Sequence, residues 1–162
     1  MVAPQVIEKL ERMVDEVGAL QSKLILLIGP HNSGKTALLH SLAKRKGVTP
    51  LNVGAELGGR LAGMPQRQRH LQTTTILREL ADQHAPSDLL LLDNIELLFD
   101  RSLQLDPLDL LKRHAHARRV VAAWPGELQG DARTGRLTYA DMGHPEHQDY
   151  SLAGVVLFEI QQ

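Results

Sequence analysis

Hydrophobic positions recur along this chain with two periods, one helical and one extended. Over residues 4–20, Val6, Leu10, Met13, Val14, Val17 and Leu20 fall at spacings of three and four, which predicts an amphipathic helix with Pro4 in its first turn. Its apolar face either packs on a sheet or docks a partner. Lys23 to Ile28 is a short apolar run closed by Gly29-Pro30 and reads as a buried strand. A helix should follow from Gly34 to about Lys46, with Gly47 as its stop. Thr49 to Val53 is a second strand candidate. Residues 55–85 read as helical but interrupted. Gly58-Gly59 and Gly63 weaken the first half, and Pro65 opens a second helix with Leu71, Ile76, Leu77 and Leu80 on its apolar side. Four leucines in a row within Asp88–Asp93 predict another buried strand. Asp106-Pro107 is an N-cap followed by a first-turn proline, with Asp109 three residues after the cap, so a helix should run to about His116. Arg119 to Trp124 is a fourth strand ended by Pro125-Gly126, residues 126–150 read as loop, and Gly154 to Ile160 is a fifth strand.

Strands alternating with helices imply a parallel sheet covered on both faces by right-handed crossovers. The expected fold is a three-layer α/β domain with a mostly parallel sheet of about five strands. At 162 residues the chain suits one domain over 1–162 and leaves no room for two. Eighteen Lys+Arg against nineteen Asp+Glu give a net charge of −1, which argues against a strongly basic nucleic-acid binder. Only five aromatic residues are present, so a base-stacking platform is not expected and direct DNA binding is not indicated. There is no cysteine, which excludes thiolate zinc sites and cysteine catalysis and fits a cytoplasmic protein. No basic start with an apolar run is visible, and the apolar runs are too short to span a bilayer, so no membrane association is expected.

The chemistry is concentrated at Gly29-Pro30-His31-Asn32-Ser33-Gly34-Lys35-Thr36, which matches G-x-x-x-x-G-K-[ST]. The motif stands between an apolar strand and a helix, the context a phosphate-binding loop requires. Backbone N–H groups of such a loop wrap phosphate oxygens, and the following helix points its positive end at them. Lys35 is placed to reach the β- and γ-phosphates, and the Thr36 hydroxyl to ligate Mg²⁺. Pro30 has no N–H and must sit where no donor is needed. His31, Asn32 and Ser33 bind through their backbones. The fold is thereby narrowed to a P-loop NTPase domain. No guanine-reading Asn-Lys-x-Asp motif occurs, which favours ATP.

Asp93 ends the leucine strand, at the carboxyl edge where parallel sheets bind their ligands, and is the expected second Mg²⁺ ligand. Hydrolysis also needs a group that orients or deprotonates water. Many P-loop ATPases of this layout carry Glu directly after the Asp, but here the position is Asn94, which is no carboxylate base. Glu96, two residues on, takes the role if the turn brings it back. Many AAA-type ATPases place a polar γ-phosphate sensor at the end of the fourth strand. Here that strand ends in Trp124, whose indole is a donor only and which reads as a packing residue. Arg60, Arg67, Arg69, Arg118 and Arg119 are candidates to act across a homo-oligomer interface, with no feature selecting one. His114-x-His116 and His144-x-x-His147 lack a third ligand at a telling spacing, so zinc is not expected.

Longer stretches carry a resemblance. Leu51-Asn52-Val53, Leu91-Leu92-Asp93-Asn94-Ile95-Glu96-Leu97-Leu98-Phe99, Leu105-Asp106-Pro107-Leu108, Val120-Val121-Ala122-Ala123-Trp124-Pro125-Gly126, and Leu137-Thr138-Tyr139 with Gly143-His144-Pro145-Glu146 resemble BrxF, the family of small P-loop proteins of type 3 BREX bacteriophage-defence systems. The resemblance runs from about residue 24 to 160. It implies a bacterial cytoplasmic protein that works with a large ATPase, a DNA methyltransferase and a phosphatase-like protein. It also implies nucleotide binding at Gly29 through Thr36 and Mg²⁺ coordination at Thr36 and Asp93. Nothing in the chain reads as a methyltransferase or nuclease site. Three functions remain open: a slow Mg²⁺-dependent ATPase whose ATP/ADP state controls assembly, with Lys35, Asp93 and Glu96 as the reactive set; a nucleotide-binding module without turnover, favoured by Asn94; and a small-molecule kinase, for which Arg133 and Arg136 make a thin lid.

Overall fold

The computed structural model describes residues 3–18, 23–30, 33–85, 88–129, 136–139, 148–150 and 154–160. The helices are α1 (Pro4–Val17), α2 (Lys35–Lys46), α3 (Val53–Ala62), α4 (Gln66–His84) and α5 (Pro107–Ala117). The strands are β1 (Leu24–Ile28), β2 (Leu51–Asn52), β3 (Leu89–Asp93), β4 (Arg119–Ala123), β5 (Glu127–Gln129), β6 (Arg136–Tyr139), β7 (Gln148–Tyr150) and β8 (Val156–Glu159). Two 3₁₀ turns, Ile95–Phe99 and Arg101–Leu103, join β3 to α5.

The main sheet has the order β2-β3-β4-β1-β8, and every neighbouring pair in it is parallel. β1 and β3 are buried at all five positions, and period-two alternation sorts their side chains between two cores. Leu24, Leu26, Ile28, Leu90, Leu92, Val120 and Ala122 face α3, α4 and α5. Ile25, Leu27, Leu89, Leu91 and Val121 face α1 and α2. The expected three-layer α/β architecture with five parallel strands is therefore the observed one.

Helix α1 buries Ile7, Leu10, Val14 and Val17 and ends at Val17, three residues short of the expected boundary. Its outer face is tied to α2 by Arg45 to Glu11 (3.2 Å) and Lys46 to Asp15 (2.5 Å), and to the sheet by Arg119, which donates to the Val14 carbonyl. Leu20 lies outside the described residues. The second strand is shorter than expected. Only Leu51–Asn52 pairs with β3, because Asn52 turns to cap α3, its side chain accepting from the Ala55 N–H at 3.0 Å. Leu71, assigned from spacing to the apolar side of α4, is instead 67% exposed, and Thr73 is buried with its hydroxyl donating to the Arg69 carbonyl. The largest departure is at 126–150. Within this loop-like stretch, β5, β6 and β7 form a separate antiparallel sheet, with Leu137 opposite Leu128 and Tyr150 in register. Leu137 is fully buried and joins the core beneath α3–α5.

Candidate functional site

Strand β1 carries the chain from the middle of the sheet to its carboxyl edge and releases it at Gly29. Beyond it the Ser33 N–H donates to the Pro30 carbonyl at 3.0 Å. Gly34 then adopts φ +94°, a left-handed conformation that an L side chain resists, and starts α2 by accepting from the Leu38 N–H. Gly29, Pro30, Ser33, Gly34, Lys35 and Thr36 thus lie between the end of β1 and the first turn of α2. His31 and Asn32 lie outside the described residues. The Ser33 hydroxyl is buried and has no hydrogen-bond partner among the described residues.

Three predicted side chains converge here. The Lys35 ammonium donates to the carbonyls of Gly29 (3.0 Å) and Trp124 (2.8 Å), which bridges the loop to the end of β4. Burial holds Lys35 below the usual lysine range, an effect that the carboxylates of Glu96 and Asp93 oppose. The Thr36 hydroxyl donates to Asp93 Oδ1 at 3.2 Å, across two neighbouring elements. Asp93 is buried, its Oδ1 also accepts from the Asn94 N–H, and its Oδ2 lies 3.9 Å from His40 Nε2 of α2. Thr36 and Asp93 are hard oxygen donors suited to Mg²⁺, which is usually held by one or two protein oxygens with phosphates and water. No group of three or more His, Asp or Glu side chains forms a cation site among the described residues, so an all-protein metal cage is not built there.

Asn94 and Glu96 part company. Asn94 is exposed and left-handed at φ 52°, and its carbonyl accepts from the Gly54 N–H at 3.0 Å. A Cβ on Gly54 would stand 3.3 Å from that carbonyl, a tight contact that would push α3 from the end of β3 by a few tenths of an ångström. Glu96 is exposed on the 3₁₀ turn, close enough for its charge to act on Lys35. Trp124 is fully buried and packs edge-on against Phe99 with centroids 5.3 Å apart, the packing role expected of it. Its carbonyl is the part that reaches the loop. Residue identity gave no sign of this, because a backbone oxygen is available at every position. The proximity of His40 to Asp93 was equally hidden, since it depends on one turn of α2 facing β3.

The candidate trans-acting arginines are mostly engaged within the chain. Arg60 pairs with Glu79 (2.9 Å), Arg69 donates to the Met64 carbonyl, Arg118 pairs with Asp82 (2.7 Å) and Arg119 with Asp88 (2.7 Å). Arg67 is exposed and has no ion-pair partner among the described residues. His144, His147 and Arg133 lie outside the described residues. No described helix is long and apolar enough to cross a membrane.

Comparison with known proteins agrees with this geometry. Residues 25–132 match the family described as "ATPase family associated with various cellular activities (AAA)". Among solved structures, a DNA replication initiation factor superposes with a TM-score of 0.50 at 18% identity, covering 99% of this chain and 48% of that one. AMPPCP-bound DnaA from Aquifex aeolicus superposes with a TM-score of 0.52 at 18% identity and the same coverage. The chain thus spans about half the length of these structures, and at this identity the likeness speaks for the fold. No curated protein sequence matches. A phosphate-binding loop between β1 and α2, an acid at the end of β3 and a family match over most of the parallel sheet lead to one assignment: the chain belongs to the AAA family of ATPases and is an ATP-binding P-loop protein.

Proposed function

We propose that this protein is a slow, Mg²⁺-dependent ATPase whose nucleotide state controls its assembly with partner proteins of a BREX-type bacteriophage-defence system in the bacterial cytoplasm. The observation that carries the nucleotide chemistry is the convergence of Lys35, Thr36 and Asp93, with Thr36 and Asp93 3.2 Å apart. The defence role rests on the residue stretches that resemble BrxF. In this reading the backbone of Gly29–Thr36 holds the phosphates, and Lys35 exchanges its two carbonyl acceptors for phosphate oxygens. Thr36 and Asp93 hold Mg²⁺, which when bound offsets the charge of the phosphate oxygens. Glu96 positions water, and its exposed place on a short turn makes turnover slow. A second reading, binding without hydrolysis, is supported by Asn94, which leaves the position after Asp93 without a carboxylate.

Phosphate release from Mg²⁺-ATP, measured alongside oligomeric mass and ATP affinity, tests the reading. The wild type should release phosphate slowly and change mass with nucleotide. Lys35→Ala should weaken ATP binding by roughly one to two orders of magnitude, the loss expected for charge-assisted hydrogen bonds. Glu96→Gln should slow release and leave ATP affinity unchanged. ATP at about a hundredfold over its Kd should raise the melting temperature by roughly 5–10 °C. Stabilisation by ATP with no phosphate release would transfer the proposal to the second reading. Absence of any ATP or ADP binding would overturn both.

A further inference from the structure

Helices α4 and α5 flank a second cleft of about 260 Å³, open to solvent and with walls more apolar than polar, that the nucleotide chemistry does not use. Thr74, Arg78 and Asp82 of α4 line one side, Leu110, Arg113 and His114 of α5 the other, and Ala117 and Arg118 close it. Among these side chains are three guanidinium groups and one carboxylate; with Asp109, the partner of Arg113 at the rim, the local excess is one positive charge. Arg78, Arg113 and Arg118 are donors only, whereas Thr74 and His114 both donate and accept. Asp82 only accepts, and it is engaged by Arg118 Nη2 at 2.7 Å, while Arg118 Nη1 donates to the Ala81 carbonyl at 3.1 Å. The Arg113 Nε lies 3.1 Å from Asp109 Oδ2, a carboxylate that is not part of the lining. Arg78 is exposed and has no ion-pair partner among the described residues.

Position separates this cleft from the nucleotide loop. Helix α4 ends just before β3 and α5 just before β4, so the cleft lies where those strands begin. Asp93 and Trp124 stand where the same strands end. Five residues of strand separate the two edges, roughly 16 Å at about 3.3 Å per residue. We propose that the α4–α5 cleft is a binding site for a phosphate monoester dianion, held by the guanidinium forks of Arg78 and Arg113 with Arg118 and Thr74 as further donors. Planar guanidinium groups suit the oxygens of phosphate, and a dianion would engage Arg78, which is without an ion pair among the described residues, while competing with Asp109 for Arg113. The volume falls below the roughly 300–1,000 Å³ of pockets that enclose drug-sized ligands, so a single phosphate or a small phosphorylated sugar fits better than a nucleotide. His114 reports on occupancy. Burial, then the charges of Arg118, Arg78 and Arg113, hold its imidazole below the usual histidine range against the opposing pull of Asp82. A bound dianion offsets those arginines and must move the His114 titration upward.

The test is an NMR titration of the histidine ring signals in the full chain at constant ionic strength, with ADP saturating the nucleotide loop. The His114 resonance is identified by its loss in His114→Gln. Inorganic phosphate should shift the His114 signal saturably and raise its titration midpoint. Ribose 5-phosphate in a second arm distinguishes the sources: tighter binding than inorganic phosphate marks a sugar phosphate, equal or weaker binding marks the free anion. The double substitution Arg78→Gln/Arg113→Gln should weaken the effect at least about tenfold, with the fold and ATP affinity retained. A purely structural role for these arginines, as counter-charge to the helix ends, predicts a lower melting temperature and no saturable phosphate shift. That result overturns the proposal. So does a phosphate response that survives the double substitution, or a His114 response to a single-stranded oligonucleotide without terminal phosphate when phosphate itself is inert. If the nucleotide loop fails to bind ADP, the His114 signal still answers the question, because it is read at the other edge of the sheet.

Discussion

Two residues at the carboxyl edge of the sheet show how backbone conformation and chemistry trade against each other. Gly34 sits at φ +94°, and a Cβ there would meet no atom within 4 Å. Its replacement by alanine is opposed by the backbone alone, at about 1–2 kcal/mol for a left-handed L residue. Gly34→Ala should therefore lower the melting temperature by a few degrees and weaken ATP binding by distorting the loop, both readable by thermal denaturation with and without nucleotide. Asn94 is the second case. Asparagine tolerates its φ of 52° better than most residues, so its identity suits the turn. Asn94→Glu would place a carboxylate directly after Asp93 at a cost of about 1 kcal/mol in stability. Phosphate release should rise by at least about tenfold if the lack of a base limits turnover. Unchanged release would place the limit elsewhere, in nucleotide exchange or in a missing partner.

At the scale of single elements, local signals of two kinds behaved differently. Caps read well. Asp106 accepts from the Asp109 N–H at 3.1 Å with Pro107 in the first turn, as their spacing indicates. Asp106→Ala should cost about 1 kcal/mol, measured as a shift in the denaturation midpoint without change in ATP affinity. The glycine before α2 read equally well, because the left-handed turn at Gly34 is a local geometric demand. Periodicity was weaker where tertiary contacts compete. Leu71 has helical spacing from the buried stripe yet points to solvent, while Thr73 enters the core because its hydroxyl finds the Arg69 carbonyl. The β5–β7 sheet was illegible because its strands are three or four residues long and set among turn-forming residues, so no alternation could build up. Leu137, fully buried, and Leu128, partly buried, tie that stretch to the core of the domain. In the site, the meeting of Lys35, Thr36 and Asp93 was legible from residue type and spacing, whereas the Trp124 carbonyl and the Asn94–Gly54 contact belong to the backbone and left no mark in residue identity.

For the molecule as a whole, the depressed His114 gives stability a definite pH dependence. The unfolded chain takes up a proton at this histidine near pH 6.5, whereas the native imidazole does so only at lower pH. Between the two values the unfolded state holds more protons, so this contribution is full above about pH 6.5 and is lost as pH falls toward the native value. Melting temperatures in phosphate-free buffer should show His114→Gln gaining on the wild type between pH 7.5 and pH 5.5. Parallel curves would mean that His114 titrates normally.

The strand order carries a consequence for biosynthesis. The first strand of this sheet in chain order, β1, lies between β4 and β8, with Leu24 paired to Val120 and Ile25 to Val156. An entirely apolar ribbon must therefore wait, both its hydrogen-bonding edges open, until most of the chain has been translated. Until then the hinge of the nucleotide loop hangs from an unsupported strand, and the nascent chain has nothing to grip a phosphate with. Ligand capture therefore waits on β4 and β8, and the interval before they arrive is when open strand edges invite wrong pairing.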